Sequence, residues 1–117
     1  MKQRRFLKVS KIYVFDLDHT LCHVEFIDNY RWDYQNATPF KERIAIVNKL
    51  YEQGHQIIID SARGSNSGKD WKVMTNKQLE SWGLKFHILR TGVKFPADHY
   101  IDDKAISDKE FFDDLND

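Results

Sequence analysis

The sequence predicts an α/β protein, a three-layer sandwich in which helices cover a parallel sheet. Short segments that contain the β-branched and aromatic residues typical of strands lie at residues 11–17, 55–59, 86–89 and 98–101. Patterns with helical periodicity separate most of them, and a strand–helix–strand order favours parallel pairing with right-handed crossovers. The 117 residues are 41% hydrophobic and 31% charged, which is typical of one soluble globular domain over residues 1–117.

The first strand, residues 11–17, contains the apolar run Ile12-Tyr-Val-Phe15, and two carboxylates, Asp16 and Asp18, follow this run. Two carboxylates that project together repel each other unless a cation or a shared proton relieves them. A divalent metal or acid/base chemistry is therefore expected here. Residues 21–38 alternate between aromatic and polar side chains, which predicts a short hairpin or flap. Its aromatic side chains that are candidates for substrate contact are Tyr30, Trp32 and Tyr34.

The first helix should begin at Thr38 and Pro39, with Thr38 as the N-cap and Pro39 at the first helical position. Its apolar positions repeat with helical spacing and form a buried face of Ile44, Val47 and Leu50. Gly54 ends the helix. Residues 55–59 then form a second strand that is apolar on both faces, as expected inside a parallel sheet.

The second half of the chain repeats the same alternation. After a loop over residues 64–68, a helix from near Asp70 to Gly83 has its apolar positions at Trp71, Met74, Leu79 and Trp82. Residues 86–89 are predicted as the third strand and residues 98–101 as the fourth. A last helix is expected over residues 107–115.

The carboxyl ends of parallel strands meet at one edge of the sheet, where ligands bind. The polar residues that should converge there are Asp16, Asp18, Ser61, Arg63, Lys94, Asp102 and Asp103. Carboxylates with few other ligands suit Mg²⁺, and Arg and Lys beside a hydroxyl suit a phosphate. The 5 histidines lack zinc-ligand spacing with a cysteine pair, and no Gly-rich Walker loop is present.

Four motifs follow one another over residues 11–108, namely Asp16-Leu-Asp18-His-Thr20, Ser61, Lys94 and Asp102-Asp103. Their residues and their order resemble those of the haloacid dehalogenase (HAD) superfamily of phosphotransferases. The fuller patterns Ser61-Ala-Arg63-Gly64 and Tyr100-Ile-Asp-Asp-Lys-Ala105 look like small phosphatase-like members, some associated with capsule and surface-polysaccharide synthesis. The Ser-x-Arg motif and the acidic pair also resemble the phosphatase domain of polynucleotide kinase-phosphatases. The resemblance implies a HAD-like, Rossmann-like sheet.

The resemblance also implies catalytic roles. Asp16 would attack phosphorus and form an aspartyl-phosphate, and Asp18 would act as general acid and base. Ser61 and Lys94 would hydrogen-bond the transferring phosphoryl oxygens. Mg²⁺ would be held by the Asp16 carboxylate, by the Asp18 backbone carbonyl, and by Asp103 or Asp102.

Three further residues are expected around the substrate. Arg63 is a candidate second phosphate clamp or a surface ion pair, and Thr20 should brace the loop through its hydroxyl. His19 stands where Gly or Asn is common in the family, so its imidazole contacts either substrate or solvent. Asp60 stands where a neutral residue is common and adds negative charge near the phosphate site.

Members of this family often carry an inserted cap domain over the active site. The intervals from Thr20 to Ser61 and from Arg63 to Lys94, where a cap would be inserted, are too short to contain one. The predicted site is therefore open, and either a large substrate or a neighbouring subunit of a homo-oligomer covers it, or turnover is slow. The leading hypothesis is a Mg²⁺-dependent phosphatase acting on a sugar phosphate or related metabolite.

Two alternatives stay open. One is a nucleotide or nucleic-acid end phosphatase, although 18 basic residues balanced by 18 acidic ones argue against a nucleic-acid partner. The other is a non-catalytic phosphate-binding or phosphoacceptor module.

The single cysteine, Cys22, excludes an internal disulfide and favours a reducing compartment. Its place close behind the first strand predicts a small buried side chain. No apolar stretch approaches the roughly 20 residues that span a membrane, and no signal peptide is recognised. A cytoplasmic protein without a membrane partner is expected.

Overall fold

The computed structural model describes residues 10–28 and 31–116. In chain order the strands are β1 Ile12–Asp16, β2 Cys22–His23, β3 Phe26–Asp28, β4 Arg31–Trp32, β5 Thr38–Pro39, β6 Gln56–Ser61 and β7 Ile88–Thr91. The helices in these ranges are α1 Lys41–Glu52, α2 Lys72–Ser81 and α3 Asp108–Asn116. None of the three is long and apolar enough to cross a membrane. Tyr30 of the predicted flap lies outside the described residues.

The centre of the fold is a parallel sheet in the order β1–β6–β7, which confirms the predicted α/β class. Phe15 lies opposite Ile59, and Ile59 lies opposite Leu89. At the carboxyl ends of the strands, Asp16 lies opposite Asp60. The polar residues that follow β1 and β6 therefore start from the same edge of the sheet.

One face of this sheet carries the core. The fully or largely buried apolar residues from the sheet and all three helices include Phe15, Ile44, Val47, Leu50, Ile57, Ile59, Leu79, Leu89 and Phe112. Both strand-to-strand crossovers step in the same direction along the sheet, so right-handed connections place α1 and α2 on the same side. On the opposite face, Ile12 and Val14 are 66% and 59% exposed. A second covering layer over β1 is not present among the described residues, so the three-layer arrangement is not confirmed.

The predicted fourth strand is absent from the described chain. Residues 98–101 are irregular, and Ile101 is 98% exposed. Directly after them the Asp102 carboxylate accepts a hydrogen bond of 2.9 Å from the Lys104 backbone N–H. Such local side-chain-to-backbone bonds stabilise turns and compete with strand pairing. The prediction of a strand at residues 98–101 is therefore wrong.

The start of the first helix also differs from the prediction. Thr38 and Pro39 form β5, which pairs antiparallel with β2, and the helix begins at Lys41 with Phe40 as its N-cap. The Phe40 N–H bonds to the Leu21 carbonyl at 2.9 Å, so a tertiary contact outweighs the local capping signal. The predicted buried face of Ile44, Val47 and Leu50 is confirmed.

The predicted flap consists of short antiparallel pairs. In the β3–β4 hairpin, Phe26 lies opposite Trp32, and their rings stack with centroids 3.6 Å apart. A 3₁₀ turn over Tyr34–Asn36 follows. This part of the chain stands beside the carboxyl end of β1 and forms one wall of a cavity.

Candidate active site

The turn after β1 places three polar side chains at this cavity. Leu17 and Leu21 are fully buried and anchor the turn. The N–H groups of Thr20 and Leu21 both bond to the Leu17 carbonyl, at 3.1 and 2.8 Å. Within this turn, His19 has φ +67°, a left-handed conformation that His adopts more readily than most residues with a side chain. The tight turn directs Asp16, Asp18 and His19 to the same opening.

The cavity has a volume of about 800 Å³, in the range of small-molecule sites. Five of the predicted site residues line it, namely Asp16, Asp18, His19, Arg63 and Lys94. The predicted flap aromatics Trp32 and Tyr34 line it too. Residues of the β1 turn, the flap and the loops after β6 and β7 therefore meet at one place.

Asp16 is held by a cation and a hydroxyl. The Lys94 ammonium lies 3.0 Å from one carboxylate oxygen, and the Thr20 hydroxyl donates to the other at 3.2 Å. The Thr20 carbonyl in turn accepts a bond of 2.9 Å from Arg43 of α1. The Asp16 side chain is 35% exposed. Its carboxylate is thus oriented and charge-balanced but still accessible to a ligand.

Asp18 has a different environment, because both of its oxygens face Arg63. The Nε and Nη2 atoms of Arg63 lie 3.0 and 2.8 Å from the two oxygens. The Nη1 atom donates to Thr75 at 3.1 Å and to Gln78 at 2.7 Å. The guanidinium also lies over the Tyr34 ring, 4.7 Å from its centroid. Arg63 is 1% exposed, and each of its three nitrogen atoms donates to a protein group. It therefore forms a buried ion pair instead of the expected phosphate clamp.

Two neighbours of Asp18 have raised pKa values. Burial, with the nearby negative charge of Asp18 as the second cause, raises the pKa of Cys22 to about 12. The same two causes, in the same order, raise the pKa of Tyr34. The Cys22 thiol is fully buried and donates to Asp18 at 3.4 Å. It behaves as the small buried side chain that the sequence predicted.

Ser61 and Asp60 lie outside the cavity lining. Ser61 is 1% exposed, and its hydroxyl accepts the Arg63 backbone N–H at 3.1 Å. In this placement it braces the turn after β6 and does not line the cavity. The Asp60 carboxylate lies 3.2 Å from the Arg90 guanidinium on the neighbouring strand. Arg90 therefore offsets its negative charge.

The acidic pair Asp102 and Asp103 does not join the other acids. Both side chains are exposed and lie outside the cavity lining. The hydrogen bond from the Lys104 backbone N–H is the main cause that lowers the pKa of Asp102. Within residues 10–28 and 31–116, no three His, Cys, Asp or Glu side chains lie close enough to hold a metal. The residues as placed do not fit the predicted Mg²⁺ set, because its last ligands follow a segment that is not a strand.

Sequence reasoning missed part of the cavity wall. Trp71 was expected on the apolar face of a helix, but it precedes α2 and lines the cavity. Its ring contacts Tyr34 edge-on at 5.1 Å, and the Lys69 ammonium lies 4.3 Å from its centroid. In the sequence, Gly64 and Gly68 indicate a loop after β6, at the edge of the sheet where the cavity lies. These glycines could have placed Trp71 near the cavity.

No protein-family model matches this chain, and no curated protein matches it. Solved structures do show a likeness. A crystal structure of an MCSG target from Vibrio cholerae is 26% identical, with a TM-score of 0.69 over 87% of each chain. A chain in the structure of the Pnkp1/Rnl/Hen1 RNA repair complex is 16% identical, with a TM-score of 0.57. That second match covers 92% of this chain and 31% of the other, and it shows a shared fold only.

Proposed function

We propose that this chain is a HAD-type phosphate monoester hydrolase with Asp16 as its nucleophile. One observation carries the proposal: the Asp16 carboxylate opens into the cavity with the Lys94 ammonium 3.0 Å away. A carboxylate held beside a cation at the end of a parallel strand suits attack on an anionic phosphate. The order of the motifs, with its resemblance to the haloacid dehalogenase superfamily, supports the same reading.

The proposed reaction has two steps at phosphorus. An Asp16 oxygen bonds to phosphorus while the bond from phosphorus to the leaving oxygen breaks, which gives an aspartyl-phosphate. Water then attacks the same phosphorus, and the bond to Asp16 breaks to release inorganic phosphate. Lys94 would offset the negative charge that accumulates as a phosphate approaches the carboxylate.

Asp18 is the proposed proton carrier. It would protonate the leaving oxygen in the first step and accept a proton from water in the second. Its side chain lines the cavity and is 19% exposed. Arg63 holds both oxygens of Asp18 and so fixes the position of this carboxylate at the cavity. Mg²⁺ is implied by the resemblance, but because the donors as placed do not fit it, we assign no step to a metal.

A small phosphorylated metabolite such as a sugar phosphate is the proposed substrate, in a cytoplasmic setting. A nucleotide or nucleic-acid end phosphate is the second candidate. It is favoured by the aromatic rings of Trp32, Tyr34 and Trp71 around the cavity, since bases stack on such rings. The likeness to a chain of an RNA repair complex concerns the fold alone and does not support this second candidate further.

The test is phosphate release by the purified full chain and its Asp16→Asn variant. Sugar phosphates, nucleotides and 3′-phosphorylated oligonucleotides with Mg²⁺ form the panel. Loss of the nucleophile should reduce kcat by about 10³-fold or more, whereas Asp113→Asn on the exposed side of α3 should change nothing. Undiminished turnover by Asp16→Asn would eliminate this mechanism. Phosphate binding by the wild type without any turnover would favour the non-catalytic binding module.

A further inference from the structure

The loop after β6 folds back on itself and brings Lys69 to the cavity. Gly64 has φ +86°, and a Cβ atom on it would lie 2.2 Å from the Lys69 carbonyl oxygen. The Gly68 N–H bonds to the Gly64 carbonyl at 2.8 Å and closes the loop. Only glycine allows this approach of two backbone segments. Its result is that Asn66, Ser67 and Lys69 all line the cavity.

This loop is connected to the lysine that faces the candidate nucleophile. The Ser65 hydroxyl donates to the Lys94 backbone carbonyl at 2.7 Å. Gly92, in the turn that follows β7, also approaches the Arg63 carbonyl, which a Cβ atom there would meet at 3.7 Å. Lys69 and Lys94 therefore lie on two loops that are joined to each other and border the same cavity.

Most of the charged groups that line the cavity form ion pairs, whereas Lys69 and Asp33 form none within the described ranges. Arg31 pairs with Asp28, Arg63 with Asp18 and Lys94 with Asp16. Within the described ranges, no carboxylate lies within ion-pair distance of Lys69, whose ammonium sits 4.3 Å from the Trp71 ring centroid. The lining carboxylate of Asp33 has no cation partner there either, and it accepts a bond of 2.8 Å from Asn36.

We propose that Lys69 forms a second anion subsite in this cavity, with Asn66 and Ser67 as neutral donors. The ring of Trp71 holds the ammonium in place by a cation–π contact. The inference rests on the proposed function, and it names the substrate class of that site. The preferred substrate is a phosphate monoester whose leaving group carries a second anionic group. Asp16 and Lys94 engage the phosphate that is removed, and Lys69 engages the anion that stays.

Sugar bisphosphates and nucleoside bisphosphates both have this chemistry, and matched pairs of probes distinguish them. One pair is fructose 6-phosphate and fructose 1,6-bisphosphate, and the other is adenosine 3′-monophosphate and adenosine 3′,5′-bisphosphate. Both pairs are assayed with the wild type, with Lys69→Met and with Lys77→Met. Lys77 is an exposed lysine of α2 outside the cavity lining, and it controls for the loss of one positive charge.

We expect the wild type to have a lower KM for the bisphosphate of at least one pair. Lys69→Met should raise that KM about tenfold, the loss expected for one charge-assisted hydrogen bond. KM for the monophosphate and kcat for both probes should stay within about twofold, as for Lys77→Met in every assay. The pair that shows the effect identifies the leaving group as a sugar or a nucleoside. Equal effects of Lys69→Met on both members of each pair, or no preference for either bisphosphate, would overturn the subsite.

Binding to the Asp16→Asn variant, measured by calorimetry, separates the two proposals. If that variant hydrolyses the phosphate monoester as fast as the wild type, the proposed function fails. If it is inactive and binds the bisphosphate more tightly than the monophosphate, and Lys69→Met removes this difference, both proposals stand. If binding of the two probes is equal, the subsite fails while the hydrolase proposal stands.

Discussion

The carboxylate of Asp18 and the guanidinium of Arg63 form a two-point ion pair, with contacts of 3.0 and 2.8 Å. Arg63 is almost completely buried and carries further bonds to Thr75 and Gln78 of α2. Gln78 also donates to the Tyr34 carbonyl at 2.8 Å. The pair therefore connects the turn after β1 with α2 and with the flap, and it holds the cavity wall together.

Arg63→Met should destabilise the protein strongly, because it leaves the largely buried Asp18 carboxylate without its cation. Loss of one partner of a buried pair costs about 3–5 kcal/mol, and urea unfolding measures it. The double variant Arg63→Met with Asp18→Leu should recover part of this loss, since no unpaired charge remains. The exposed pair of Lys85 and Glu52 provides the control, and Lys85→Met should cost less than about 1 kcal/mol. Equal costs for the two single variants would contradict this role of Arg63.

Gly64→Ala should be far more harmful than Gly68→Ala. Both glycines have positive φ, +86° and +74°, so alanine at either costs about 1–2 kcal/mol from backbone strain alone. At Gly68 a Cβ atom meets nothing within 4 Å, whereas at Gly64 it lies 2.2 Å from a backbone oxygen. The melting temperature of Gly68→Ala measures the effect of backbone strain alone, and that of Gly64→Ala measures the effect of strain together with steric overlap. Identical melting temperatures would mean that the loop can open without cost.

The Cys22 thiol should not react with Ellman's reagent at pH 8 until the chain is unfolded. Its pKa is raised from 9.0 to about 12, so the folded protein keeps the thiol protonated where the unfolded chain ionises it. This contribution to stability is complete below about pH 9 and is lost as the pH rises toward 12. Urea unfolding at pH 8 and pH 10 should show a falling difference between wild type and Cys22→Ala. A difference that grows with pH would have the wrong sign.

Chelation tests the metal that the motif resemblance implies. The motif resemblance predicts that dialysis against EDTA abolishes phosphate release and that added Mg²⁺ restores it, whereas the donors as placed among the described residues predict release without a metal. If Asp103 is a ligand, Asp103→Asn should raise the Mg²⁺ concentration needed for half-maximal activity, and Asp113→Asn should not. Activity that survives EDTA and is unaffected by Asp103→Asn would agree instead with the placement in this structure. There Asp103 is exposed and Lys94 neutralises Asp16.

The parts of the fold that were predicted correctly are those that short stretches of sequence specify. The apolar runs of β1 and β6 and the helical spacing of Ile44, Val47 and Leu50 each report burial of their own segment. The prediction failed at residues 98–101, because a short segment with strand-forming residues becomes a strand only where it pairs with another strand. It also misplaced the start of α1, where pairing of Thr38 with His23 outweighs helix capping.

For the candidate site, the sequence by itself determined which chemical groups are available and that Asp16, Asp18, Arg63 and Lys94 stand near strand ends. Only the tertiary structure decided their partners: Lys94 for Asp16, and Arg63 for Asp18. It also placed Ser61 in the interior, Asp102 and Asp103 at the surface, and Lys69 at the cavity. The physical reason is that propensity and periodicity depend on neighbours in the chain. Ion pairing and burial depend on groups that only the folded backbone brings together.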